Sequence, residues 1–62
     1  TVTILDTPTG FLRIRGGIGG SEVGRATPGE TFPFVNEEAG WYEIKLKDGT
    51  RGWVSSEYAK KE

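Results

Sequence analysis

The stretch from Gly40 to Tyr58 constrains the fold more than any other part of the chain, because its side chains alternate between apolar and polar. The apolar members of its first half are Tyr42, Ile44 and Leu46, and the polar members are Glu43, Lys45 and Lys47. A period of two predicts a strand with one buried face. The pair Asp48-Gly49 favours a two-residue type I′ turn with positive φ at both positions. Residues 50–54 then return, so the segment predicts a β-hairpin.

Glycines and prolines divide the rest of the chain into short extended segments, which is typical of an all-β protein. The other predicted strands are residues 2–5 at a sheet edge, 11–15, a short stretch from Val23, and 30–35 with Pro33 at an edge or facing away from the ladder. The predicted turns and loops are residues 6–10, 16–21, 28–29 and 36–40. Residues 55–58 fit one 3₁₀ turn, and 60–62 fit a tail. Five or six short strands in so short a chain favour a small closed barrel over a sandwich.

Length and composition limit the chemistry that is available. The 62 residues make one small domain, and the absence of methionine at position 1 leads us to expect that residues 1–62 are a domain of a longer chain. There is no cysteine or histidine, so we predict no disulfide, no metal site, no cofactor and no enzyme activity. A net charge of −1 with mixed signs argues against nucleic-acid binding. No apolar run approaches the roughly 20 residues that span a bilayer.

The glycine-rich segment from Gly16 to Gly20 does not fit a phosphate-binding loop. When the dinucleotide pattern is started at Gly17, Glu22 takes the place of the third glycine, and no helix is predicted to follow. We therefore interpret the segment as a loop between strands. Within it, Ile18 either packs back on the barrel, which we favour, or lies exposed as a contact.

Seven aromatic residues are available to a core or to a binding surface: Phe11, Phe32, Phe34, Trp41, Tyr42, Trp53 and Tyr58. A small barrel needs several of them inside, and we assign Phe32, Phe34 and Tyr42 to the core. The two tryptophans fall on the polar faces of their strands, where a large ring is costly unless it packs on a neighbour or contacts a ligand. Tryptophan and tyrosine recur as binding anchors. The candidate ligand contacts are Trp41, Trp53 and Tyr58.

Several motifs together resemble those of the bacterial SH3-like (SH3b) domains, over roughly residues 11–59. The matching residues are Leu12-x-Ile14-Arg15, Val23-Gly24, Pro28-Gly29-Glu30, Gly40-Trp41-Tyr42-x-Ile44 and Asp48-Gly49-x-x-Gly52-Trp53-Val54-Ser55-Ser56-x-Tyr58. The chain departs from the family in the loop after Arg15, where the glycine-rich segment replaces the usual serine-, glycine- and proline-bearing loop. The resemblance implies an SH3-type barrel of five to six strands, with a 3₁₀ turn at Ser55 to Tyr58 before the last strand.

The resemblance also implies a binding site and a role. Trp41 and Tyr58 would line one shallow groove, and Glu37 and Glu38, on the turn before Trp41, would give it an acidic rim that favours ligands with an amine. The implied role is a non-catalytic module, monomeric, that targets an exported bacterial protein to peptidoglycan or short wall peptides in the cell envelope. Binding of proline-rich helices ranks lower, because Ser55 replaces the turn proline and no tyrosine precedes Tyr42. A protein–peptide interaction or spacer domain of a surface protein, and an engineered scaffold without natural ligand, stay as alternatives.

Overall fold

The computed structural model describes residues 1–18 and 20–62, which form eight short strands and no helix. The strands are β1 (Val2–Ile4), β2 (Leu12–Arg15), β3 (Glu22–Ala26), β4 (Thr31–Phe32), β5 (Phe34–Glu38), β6 (Trp41–Lys45), β7 (Arg51–Ser55) and β8 (Ala59–Lys61). All pairs are antiparallel, in two sheets with the strand orders β4-β1-β8 and β3-β2-β7-β6-β5. The predicted all-β class is confirmed.

Apolar side chains from both sheets form one core. The buried members are Val2, Ile4, Leu12, Ile14, Ala26, Phe32, Ile44, Val54 and Ala59. Phe34 and Tyr42 pack against this cluster from partly exposed positions, with their rings edge to face at 6.2 Å. The predicted core role is therefore confirmed for Phe32, while Phe34 and Tyr42 lie at the edge of the core. Among the described residues no polar side chain is buried, which avoids the cost of desolvating one without a partner.

Pro33 lies where the chain passes from one sheet to the other. It separates β4, in the three-stranded sheet, from β5, in the five-stranded sheet. Its carbonyl still accepts a hydrogen bond from the Lys45 N–H at 3.2 Å, whereas its missing N–H would interrupt a continuous strand. The prediction of a single strand over residues 30–35 is therefore wrong. The interruption at Pro33 is one reason why the structure has eight strands and not the predicted five or six.

The two ends of the chain also depart from the sequence prediction. β1 lies in the middle of its sheet, between β4 and β8, and not at an edge. Residues 60–62 are not a tail, because Ala59–Lys61 forms β8 with Ile4 opposite Ala59 and Val2 opposite Lys61. The hydrogen bonds of a β-ladder are made by main-chain groups, so they do not require apolar side chains. The sequence Ala59-Lys60-Lys61 has no apolar alternation from which this strand could have been predicted.

The turn between β5 and β6 is shorter than predicted. Residues 36–38 belong to β5, and only Ala39 and Gly40 connect it to β6. Both have positive φ, at 50° and 83°, as a two-residue type I′ turn requires. The predicted turn over residues 36–40 is therefore wrong in its first three residues.

The turn between β6 and β7 is longer than predicted. Gly49 has a φ of 91°, but Asp48 is not among the residues with positive φ. The Gly49 N–H donates to the Leu46 carbonyl at 3.0 Å, and the Leu46 N–H donates to the Thr50 carbonyl at 2.7 Å. This is a three-residue loop with glycine at its left-handed position. The hairpin is confirmed, and the type I′ assignment is wrong.

Main-chain hydrogen bonds within the glycine-rich loop run from the Gly16 N–H to the Ser21 carbonyl at 2.9 Å and from the Gly20 N–H to the Gly17 carbonyl at 2.8 Å. Ile18 is 45% exposed, so the favoured packing against the barrel is wrong and the exposed alternative describes it. Gly19, which belongs to the same predicted loop, lies outside the described residues.

Candidate binding groove

An open groove of about 320 Å³ lies beside Trp41 and Tyr58, between the loop before β2 and the outer face of the five-stranded sheet. Its lining consists of Pro8, Thr9, Phe11, Leu12, Arg13, Arg15, Trp41, Ser55 and Tyr58. Its volume falls at the small end of the range of about 300–1,000 Å³ that is typical of ligand pockets. The groove is therefore large enough for a short segment of an extended ligand.

Trp41 is placed at the groove by the turn that precedes it. As the first residue of β6, it faces outward with Glu43 and Lys45, as their alternation with Ile44 predicts. The Gly40 carbonyl accepts a hydrogen bond from the Ser56 N–H at 2.9 Å, which joins this turn to the one after β7. Trp41 is half-buried and lines the groove.

Tyr58 is placed by the turn that follows β7. Its N–H donates to the Ser55 carbonyl at 3.2 Å, and its own carbonyl accepts from the Leu5 N–H at 2.9 Å. The first of these bonds has the i to i+3 spacing predicted for Ser55 to Tyr58, although a single turn and no 3₁₀ helix forms there. Hydrogen bonding to the Glu57 carboxylate, and then the charge of that carboxylate, raise the pKa of Tyr58.

The opposite wall is a stiff turn that ends in Phe11. The Gly10 N–H donates to the Thr7 carbonyl at 3.1 Å, which confirms a turn within residues 6–10. The hydroxyls of Thr7 and Thr9 both donate to the Phe11 carbonyl, at 2.9 and 3.0 Å. Phe11 was not predicted as a site residue. The signal was available, because Phe11 shares its parity with the outward-facing Arg13.

Two arginines, Arg13 and Arg15, line one end of the groove, and Arg25 lies next to Arg13 around a single carboxylate. Nε of Arg25 donates to Glu22 at 2.8 Å, and Nε of Arg13 lies 3.5 Å from the same carboxylate. The guanidinium groups of Arg25 and Arg13 also lie 4.6 and 5.8 Å from the centre of the Phe11 ring. The hydrogen bond from Arg25, and then the charges of Arg13 and Arg15, lower the pKa of Glu22, so it is ionised at neutral pH.

The structure brings together only two of the five predicted site residues. Trp41 and Tyr58 share the groove, whereas Trp53, Glu37 and Glu38 lie outside its lining. Trp53 is half-buried in the middle of the sheet, between Arg15 on β2 and Glu43 on β6.

The two glutamates predicted for an acidic rim are not part of the groove lining. Glu37 and Glu38 lie on β5 and not on a turn. Glu37 points to Lys61, whose ammonium lies 2.9 Å from its carboxylate. Glu38 is opposite Trp41 across the β5–β6 pair, while Ser55 is opposite Trp41 on the other side. Trp41 therefore separates Glu38 from the groove, and the charged side chains in the described lining are both arginines.

Two further features are absent from residues 1–18 and 20–62. These residues include no group of three or more side chains that could hold a metal ion. Nor do they form any helix with the length and hydropathy needed to cross a bilayer.

The comparison with known families agrees with the fold. The family of bacterial SH3 domains matches residues 8–60, a range that includes every residue of the groove lining. None of the curated proteins matches the chain in sequence. Domains of this family are generally binding modules and are typical of envelope proteins. With its eight-stranded all-β fold and a match over most of its length, the chain belongs to the bacterial SH3 domain family.

Proposed function

We propose that this domain is a non-catalytic module that attaches an exported bacterial protein to peptidoglycan or its peptides, and that the groove beside Trp41 and Tyr58 is the binding site. The observation that carries the proposal is the groove itself. It presents the rings of Trp41, Phe11 and Tyr58 around an open cleft of about 320 Å³, where large aromatic side chains supply contact area at little conformational cost.

The setting of the groove supports a polymer as its ligand. The cleft is open to solvent on the barrel surface, so a segment of a long strand can enter it without threading through the protein. The hydroxyl-bearing side chains of Ser55 and Tyr58 lie beside the apolar walls, which suits the amide groups of a peptide. Envelope proteins are the usual setting of the family, and they meet peptidoglycan in that compartment.

Co-sedimentation with purified peptidoglycan sacculi tests this proposal. The wild-type domain should sediment with the sacculi, and Trp41→Ala should weaken binding about 30-fold or more, as removal of a hot-spot aromatic does. Lys45→Ala is the matched control, because it lies on the same strand and the same face but outside the lining. Circular dichroism should be native for both variants, since Trp41 is not part of the buried core.

Two results would contradict the proposal. Absence of wild-type binding to sacculi would leave a protein–peptide interaction or spacer domain as the better description. Equal weakening by Trp41→Ala and Lys45→Ala would place the binding site elsewhere on the barrel.

A further inference from the structure

The groove carries positive charge at one end, and no carboxylate in the described lining balances it. Arg13 and Arg15 both line it. The carboxylate paired with Arg13 is that of Glu22, at 3.5 Å from Nε of Arg13. The same carboxylate forms a shorter contact with Nε of Arg25, at 2.8 Å. Two guanidinium groups, those of Arg13 and Arg25, thus share one carboxylate, and Arg15 forms no ion pair with the described residues. This leaves an excess of positive charge at this end of the groove.

The arginines are held in place before any ligand arrives. Nη1 of Arg15 donates to the Gly20 carbonyl at 2.9 Å, which uses one of the five N–H donors of a guanidinium. Arg13 is held between Glu22 and the Phe11 ring, yet its side chain is 55% exposed. Donors that are oriented in advance lose less conformational entropy when they bind, and guanidinium groups match the planar geometry of a carboxylate.

The other carboxylates near the groove do not cancel this charge. Glu38 lies beyond Trp41 on the side away from the arginines, and Glu37 is paired with Lys61. Glu57, the neighbour of Tyr58 in the chain, is not part of the described lining. The groove is therefore basic beside β2 and apolar along Trp41 and Phe11.

We propose that the groove selects a peptide segment that bears a free carboxylate, which Arg13 and Arg15 bind while the adjoining apolar part of the peptide lies against Trp41 and Phe11. The inference deepens the proposed function, on which it rests for the location of the site. It reverses the preference for amines that an acidic rim would have given.

The first experiment uses sacculi in three forms: untreated, with their carboxyl groups converted to amides, and with their amines acetylated. Amidation should weaken co-sedimentation about tenfold or more, as loss of charge-assisted hydrogen bonds does, and acetylation should leave it within about twofold of the untreated value. Failure to bind untreated sacculi contradicts the proposed function. Binding that survives amidation overturns the carboxylate inference alone.

Variants assign the effect to the groove. Arg13→Gln should weaken binding to untreated sacculi about tenfold and make it less sensitive to salt. Arg51→Gln is the matched control, since it removes the same charge from an exposed position on β7 outside the lining. Equal losses in the two variants would indicate a general charge effect and overturn the inference.

Defined peptides test the same chemistry without the polymer. The probes are the tetrapeptide Gly-Gly-Ala-Ala with a free carboxylate, its C-terminal amide, and an amide with one internal aspartate. Chemical-shift titration of the Trp41 indole N–H should detect the first peptide and not the simple amide. Binding of the aspartate peptide would support a side-chain carboxylate as the source, and its failure would support a terminal one. Equal response to the acid and the simple amide, or none to the acid and aspartate peptides at millimolar concentration, overturns the inference.

Discussion

Gly52 is the glycine whose missing side chain the core requires. It is buried on β7, opposite Ile44 on β6, and a Cβ built on it would collide with Cγ2 of Ile14. Ile14 cannot move away easily, because it is itself buried. The main-chain carbonyl of Arg15 also lies close to this position. At Gly49 the constraint is on the backbone conformation, because its φ is 91°. A Cβ there would not collide with any described atom.

Gly52→Ala should therefore destabilise the domain by about 1–3 kcal/mol, as overpacking of a core does. Gly17→Ala serves as the control, because a Cβ there meets nothing within 4 Å and its φ is not in the left-handed region. Chemical denaturation followed by tryptophan fluorescence measures both. An unchanged midpoint for Gly52→Ala would mean that β2 and β7 pack less closely than their register indicates.

At the level of single residues, the sequence predicted which aromatic rings face inward but not which charges face the groove. Tyr42 could be assigned because alternation within one strand fixes the face of each side chain, whereas Phe32 and Phe34 lie on two strands of different sheets. The neighbours of Trp41 depend instead on which strands flank it. Glu38 is only three residues before Trp41 in the chain, but Ser55 and the arginines reach the groove only through the pairing of β2, β7 and β6.

The loop between β6 and β7 shows how a charged side chain can set a turn. Oδ1 of Asp48 accepts hydrogen bonds from the Thr50 N–H at 3.0 Å and from the Thr50 hydroxyl at 2.6 Å. These bonds, first the hydroxyl and then the N–H, lower the pKa of Asp48 below its usual value of 3.8. Because the folded state favours the ionised form, this contribution to stability is present above that value and is lost as pH falls through the folded pKa.

We therefore expect Asp48→Asn to be less stable than the wild type at about pH 7, and the difference between them to shrink as the pH is lowered to about 2. Asparagine keeps the acceptor oxygen, so the comparison isolates the charge. Glu22 and Glu30, whose pKa values are also lowered, are common to both proteins. Thermal melts followed by circular dichroism measure the difference, and a constant gap in Tm over this range would contradict the assignment.

At the level of elements, hairpins and their strands could be predicted, whereas turn types and sheet order could not. Asp48-Gly49 marks a hairpin, but the type I′ turn occurs at Ala39-Gly40, where alanine has a φ of 50°. Alanine carries no signal for a left-handed conformation. The pairing of the first strand with Ala59–Lys61 is likewise made by main-chain groups across almost the whole length of the chain, and no local pattern encodes it.

The stability of the whole molecule depends on a small core, which has nine buried side chains among the described residues. These side chains hold the two sheets together without a disulfide. The ends of the chain meet in the three-stranded sheet, where the Glu62 N–H donates to the Thr1 carbonyl at 2.7 Å. The ion pairs of the described residues all involve side chains at least 32% exposed, and exposed pairs contribute little. Packing in the core must therefore supply most of the stability.

Ile44 is the side chain whose loss should test this dependence most directly. It is fully buried on β6 and is opposite Gly52 on β7 and Phe34 on β5, so it joins three strands of the larger sheet. Ile44→Ala should cost about 2–5 kcal/mol, against a total stability of only about 3–5 kcal/mol for a domain of this size. The variant should be largely unfolded at 25 °C, whereas the exposed neighbour Lys45→Ala should unfold at the same denaturant concentration as the wild type. Urea titration followed by circular dichroism separates the two. Similar behaviour of the two variants would mean that β6 is displaced by one residue, which would also turn Trp41 away from the groove.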